Sequence, residues 1–130
     1  MATIFTKIIN KELPAYIVAE DDGHLAFLDI KPVKRGHLLV IPKTEIDYIF
    51  DMNDEAYTKL NLFAKKVAKA MRQAISCKRI GTAVVGLEVP HVHIHLIPLD
   101  NLSDLDFTKE RLNLSPAEFE SIRDQIIAKL

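Results

Sequence analysis

The sequence predicts an α+β fold: an antiparallel sheet of about five strands, one long central helix and a C-terminal helix. Three observations lead there. Short β-prone runs separated by turn signals occupy the chain up to Ile41, a long stretch of helical periodicity follows Asn53, and two further apolar runs come after it. Strands, then a helix, then strands again with mostly short links are the pattern of an antiparallel sheet with segregated helices.

The elements follow in order. Tyr16 to Glu20 is β-prone, and Asp21-Asp22-Gly23 is a strong turn signal before His24 to Ile30, so the pair reads as a hairpin. Lys31-Pro32 ends the second strand and Lys34-Arg35-Gly36 makes another turn. His37 to Ile41 is then a nearly continuous apolar run closed by Pro42, which reads as a central strand. From Asn53 to about Cys77, Tyr57, Leu60, Ala64, Val67, Met71 and Ile75 recur at three- and four-residue steps, the mark of one amphipathic helix capped by Asn53 or Asp51. Ile80 to Val85 and His93 to Ile97 read as two more strands. Ser115-Pro116-Ala117-Glu118 joins a capping box to a first-turn proline and opens a helix towards Leu130.

At 130 residues and 48% hydrophobic, the chain suits one domain spanning 1–130, with a core over about 3–98 and a helical extension over about 115–130. Seventeen basic residues against 18 acidic ones give a net charge of −1, so neither nucleic acid nor an acidic membrane surface is the expected partner. Any phosphate recognition must be local. The single cysteine, Cys77, excludes an internal disulfide, and the start of the chain lacks the apolar run of a signal peptide; the expected location is the cytoplasm.

The most informative feature is His91-Val92-His93-Ile94-His95-Leu96-Ile97. In an extended strand successive side chains point to opposite faces, so three imidazoles line one face while Val92, Ile94 and Leu96 press into a core behind them. Burying one hydrogen-bonded imidazole is ordinary, but three in a row along ~13 Å point to chemistry. Imidazole acts near neutral pH as nucleophile, acid or base, and neighbouring imidazoles discourage each other's protonation. For attack at phosphorus one ring nitrogen must be bare while the other is held as a donor by a carbonyl or carboxylate. The backbone of a tight strand can supply that carbonyl. His37, following Gly36, is the natural fourth member if its strand pairs beside the triad strand.

A metal site is the competing chemical reading. Zinc ligands at ~2.0–2.1 Å must converge on one ion, yet His91 and His95 are ~13 Å apart along an extended strand, so a third ligand would have to come from His37 or Glu88. No metal or cofactor is expected.

Read together with Ala26-Phe27-Leu28-Asp29-Ile30 and Gly36-His37-Leu38-Leu39-Val40-Ile41-Pro42-Lys43, the triad segment resembles the histidine triad (HIT) superfamily. The opening Thr3-Ile4-Phe5-Thr6-Lys7-Ile8-Ile9 resembles its Hint branch of nucleotide-binding hydrolases, and the likeness runs from about Thr3 to Pro98. That resemblance implies hydrolysis or transfer at the α-phosphate of a purine nucleoside 5′-phosphoramidate or related conjugate, through a nucleotidyl-histidine. It implies His93 as nucleophile, His95 at the leaving group, and His91 and His37 as orienting residues. It places Asp29 at the ribose hydroxyls, and Ile4, Phe5, Ile8, Leu13, Phe27 and Ile30 around the base. It also implies an AMP-like substrate and a homodimer in which long helices and strands pair across a twofold. Cleavage of dinucleoside polyphosphates, or nucleotide binding with little catalysis, are the alternatives.

Two departures stand out. Some bacterial relatives hold a structural zinc with Cys-x-x-Cys near the N-terminus and a histidine after the Pro-Lys pair, whereas this chain has Thr3, Thr6 and Glu45 there. The family's longer Asn- and Gly-rich loop before the triad is replaced by Val84-Val85-Gly86-Leu87-Glu88-Val89-Pro90, with Glu88 where a hydroxyl helps to hold the phosphate. A carboxylate there repels a phosphate oxygen unless it is protonated or turned away. Glu88 could instead meet an amine leaving group or a cationic substrate arm, or simply face solvent.

Overall fold

The computed structural model describes residues 2–130. Five antiparallel strands, β1 (Ile17–Glu20), β2 (His24–Leu28), β3 (Leu38–Pro42), β4 (Arg79–Ala83) and β5 (Ile94–Leu99), form one sheet in the order β1-β2-β3-β5-β4. The hairpin expected around Asp21-Asp22-Gly23 forms, with Asp21 Oδ1 accepting from the amides of Gly23 and His24. The strand led by His37 is central, as its unbroken apolar run requires.

The helices are α1 (Ile4–Ile9), α2 (Asp54–Ala74) and α3 (Pro116–Ile127). Asn53 caps α2 by accepting from the Ala56 amide at 2.8 Å, and α3 opens with the expected Ser115/Glu118 capping box. The long helix ends at Ala74, three residues before the expected limit. Ile75 turns to extended backbone, which lays its side chain over Gly36 and against the core. The buried stripe of α2 is Leu60, Phe63, Ala64, Val67, Ala70 and Met71, whereas Tyr57 stays 38% exposed at the helix's first turns. α1 had no counterpart in the periodicity: at six residues it is too short to show one, and the Thr3/Thr6 capping box sets it.

Strand parity divides the core. Ala26, Leu28, Leu38, Val40, Val92, Ile94 and Leu96 face α2 and α3 on one side of the sheet. Leu25, Phe27, Leu39 and Ile41 face α1 on the other, packing with Phe5 and Ile8. At roughly 2 kcal/mol for each fully buried aliphatic or aromatic side chain, both faces contribute substantially to stability. The last strands differ from expectation at their ends. β4 stops at Ala83, leaving Val84 and Val85 exposed, and β5 begins at Ile94, so only His95 of the triad is in the ladder. Among the described residues no helix is long and apolar enough to cross a membrane.

Candidate active site

The alternation read from the sequence survives although His91 and His93 precede the strand. Val92, Ile94 and Leu96 enter the α2-side core, while His91 and His93 gather around Phe5 with the His95 ring beside that of His93. β3 pairs with β5, setting Leu39 opposite His95, and this register brings His37 to the triad. All four rings are buried: His37 and His91 are each 1% exposed, His93 7% and His95 8%. Phe5 packs edge-on against His91 and His93, with centroids 5.9 and 5.0 Å away.

Hydrogen bonds to backbone groups of fixed polarity assign the protons. His93 Nδ1 lies 2.7 Å from the carbonyl oxygen of His91. A carbonyl only accepts, so Nδ1 carries the proton and Nε2 of the neutral ring is bare. The amide of Val33 donates to His37 Nδ1 at 3.1 Å, which places the His37 proton on Nε2. That Nε2–H donates to His95 Nδ1 at 2.9 Å, leaving neutral His95 with its own proton on Nε2. His91 Nε2–H donates to the carbonyl of Pro42 at 2.8 Å, and among the described residues its buried Nδ1 has no hydrogen-bond partner.

Electrostatics favours the neutral form of His37, His95 and His91. Burial, and then repulsion from His95, Arg111 and His93, depress His37 from 6.5 to about 3. Burial, with His93 and Arg111 adding to it, takes His95 to about 4. Burial also lowers His91, against the opposing hydrogen bond to Pro42. Both members of the relay are therefore uncharged at neutral pH.

Asp29 is half-buried at the end of this chain of rings. Its Oδ1 accepts from the Lys31 amide at 2.8 Å and its Oδ2 lies 3.6 Å from His37 Nε2. Burial raises its pKa; the Lys31 bond, Arg111 and His93 act the other way, and Glu88 adds to the rise. Asp29, His37 and His95 offer ligand atoms within 4.8 Å of one another. They fit a relay better than an ion. The His37–His95 spacing of 2.9 Å is below the about 3.3 Å that two ligands of a tetrahedral zinc require. A metal on His37 Nε2 would also move its proton to Nδ1, where it would face the Val33 N–H.

Of the other residues expected at a nucleotide, Phe5, Ile8 and Phe27 lie in the apolar cluster beneath the histidines, and Leu13 packs at its edge. Ile4 and Ile30 are 50% and 62% exposed. Glu88 lies in an exposed segment before the triad. In the place where zinc-bearing relatives carry ligands, Thr6 Oγ1 donates to Glu45 at 2.8 Å and ties α1 to the segment after β3. Sequence reasoning passed over Phe107 and Arg111. The Phe107 ring lies 4.8 Å from that of His95 and 6.1 Å from that of His37, with the Arg111 guanidinium 5.7 Å above it. Their stretch has neither periodicity nor a motif to flag it.

The HIT domain family model matches residues 10–102, which include Asp29 and all four histidines. The chain belongs to the HIT family. This HIT protein is 33% identical over 132 residues to the adenosine 5′-monophosphoramidase of Schizosaccharomyces pombe, covering 100% of this chain and 99% of that one. To the adenosine 5′-monophosphoramidase of Saccharomyces cerevisiae it is 41% identical over 98 residues, 75% of this chain and 62% of the yeast protein. Among solved structures, a Hit-like protein from Bartonella henselae superposes with a TM-score of 0.85 at 30% identity, covering 98% of this chain and 95% of that one. The sheet and helices of this HIT protein are thus those of the solved HIT structures.

Proposed function

We propose that this HIT protein hydrolyses purine nucleoside 5′-phosphoramidates through a nucleotidyl-histidine at His93. Family membership and the two phosphoramidase relatives support a nucleotide hydrolase role generally. The observation that carries the finer reading is the His93–His91 bond, which turns a bare Nε2 into the available nucleophile.

In the first step His93 Nε2 attacks the α-phosphorus, forming an N–P bond as the bond from phosphorus to the leaving amine breaks. His95 Nε2–H hydrogen-bonds the departing nitrogen, which leaves as the neutral amine from the N-protonated phosphoramidate. The His37 Nε2–H, bonded to His95 Nδ1, holds that ring in the required tautomer. In the second step water attacks the phosphorus, the new P–O bond forming as the His93 Nε2–P bond breaks; the proton of the water passes to the released amine, and AMP leaves. Asp29 accepts from the ribose hydroxyls, which favours ribose over deoxyribose. Phe5, Ile8, Phe27, Leu13, Ile4 and Ile30 serve the base, His91 orients His93 through its carbonyl, and Glu88 meets a cationic part of the substrate. The reading treats 1–130 as one domain working in the cytoplasm as a homodimer. Support for the dimer is the free edge of β4 beside an apolar groove of about 830 Å³ lined by Tyr48, Phe50, Tyr57, Val84, Val85 and Leu87.

The test is AMP release from adenosine 5′-phosphoramidate by wild type and His93→Ala, with chelator present, together with alkaline quench to trap an adduct on His93. Release and adduct in the wild type, both lost in the variant, are expected. AMP binding without release by either protein would favour a nucleotide-binding role instead, which Glu88 in the exposed segment before the triad already makes the second reading.

A further inference from the structure

The stretch between β5 and α3 takes no part in the steps above, yet it brings a cation to the edge of the site. Arg111 Nη1 donates to the carbonyl of Lys31 at 2.7 Å, while the amide of the same residue donates to Asp29 at 2.8 Å. Arg111 and Asp29 are thus anchored on one peptide unit each side of Lys31. The guanidinium sits over Phe107, whose ring packs against His95 and His37.

This placement is built on both sides. Before Phe107, buried Asp104 accepts from Lys34 Nζ at 2.7 Å and from the amides of Asp100 and Asn101 at 2.8 and 3.0 Å. After Arg111, the amide of Leu112 donates to Pro32 at 2.9 Å. Lys34 and Pro32 belong to the turn that leads into His37, so the stretch is fastened to the same residues that aim the relay.

An arginine carries five N–H donors in a planar fork. One is used by Lys31, and among the described residues no carboxylate forms an ion pair with Arg111. Seating on an aromatic face leaves the edge of the fork free, the geometry that recognises carboxylate or phosphate. A half-buried guanidinium that feels Asp29 without pairing to it is poised for an anion brought by the ligand. The rim of the site is also polarised, since Arg111 and Glu88 act on Asp29 with opposite sign.

We propose that Arg111, seated on Phe107, binds a second anionic group of the nucleotide substrate, beyond the α-phosphate that meets His93. This deepens the phosphoramidase reading and rests on its placement of the nucleotide. The shared chemistry is a carboxylate or phosphate; its source is either the group attached at the 5′-phosphate or a phosphate on the ribose beside Asp29.

Equilibrium binding separates these sources without requiring turnover. Affinities of AMP, ADP and adenosine 3′,5′-bisphosphate are measured by calorimetry for wild type, Arg111→Gln and Arg111→Lys, with thermal unfolding as the folding control. The expected result is that Arg111→Gln weakens either ADP or the bisphosphate by tenfold or more, leaves AMP within twofold, and is partly rescued by Arg111→Lys. Loss on ADP assigns the 5′-attached group, and loss on the bisphosphate assigns the ribose phosphate. Equal losses on all three nucleotides, or none, would overturn the proposal. Because binding is read, absence of phosphoramidase turnover would sink the catalytic reading while leaving this result interpretable.

Discussion

His37 donates from Nε2 to His95 Nδ1 across 2.9 Å, and the Val33 amide at His37 Nδ1 permits no other direction for that bond. One backbone N–H therefore determines which nitrogen of a histidine two rings away carries a proton. The reaction proposed for His93 needs that proton on His95 Nε2.

Replacing His37 with alanine removes the donor and leaves His95 free to change tautomer. We expect kcat on adenosine 5′-phosphoramidate to fall by roughly 10²-fold, the lower range for loss of a positioned acid or base. KM should change less than threefold. Steady-state kinetics checks this, and an unchanged kcat would remove His37 from the relay.

Acid should destabilise the fold before the carboxylates titrate. His37 and His95 are held at about 3 and about 4 against 6.5 in the unfolded chain. Between those limits the unfolded chain binds more protons, so this stability is complete above 6.5, declines below it and is fully lost only as pH falls through about 4 and about 3. Asp29, raised from 3.8, acts oppositely just above that value. Thermal unfolding should show Tm dropping between pH 6.5 and 4.5, and dropping less in His37→Asn. A flat profile across that interval would contradict the depressed values.

Gly36 has φ +95°, and a Cβ there would collide with the Ile75 side chain and crowd Pro98 at 3.1 Å. Gly36→Ala is expected to cost about 1–3 kcal/mol from the left-handed backbone and the forced repacking. Because Gly36 immediately precedes His37, activity should fall more than stability alone explains. Chemical denaturation and kinetics on the same preparation measure both.

The exposed Val85 and Leu87 flank the free edge of β4. If two copies meet there, sedimentation should give a dimer for the wild type. A Val85→Lys, Leu87→Glu double variant should be monomeric. A monomeric wild type at tens of micromolar would refute the arrangement.

The sequence by itself determined the sheet and its two faces, and set the triad histidines on one of them. These are written in local periods: alternation around His91, His93 and His95 follows from the pleat, and the cap at Asn53 and the turn at Asp21 act on neighbouring peptide units. His37 followed from its place after Gly36 at the head of a strand, and the family resemblance added Asp29 by position. Tertiary structure alone decided the protons. They depend on the Val33 amide at His37, the Pro42 carbonyl at His91 and the pairing of β3 with β5, contacts that exist only after distant segments close. It also decided that Phe107 and Arg111 join the site, because hydrogen bonds to Lys34, Lys31 and Pro32 hold their irregular stretch where no periodicity could announce it.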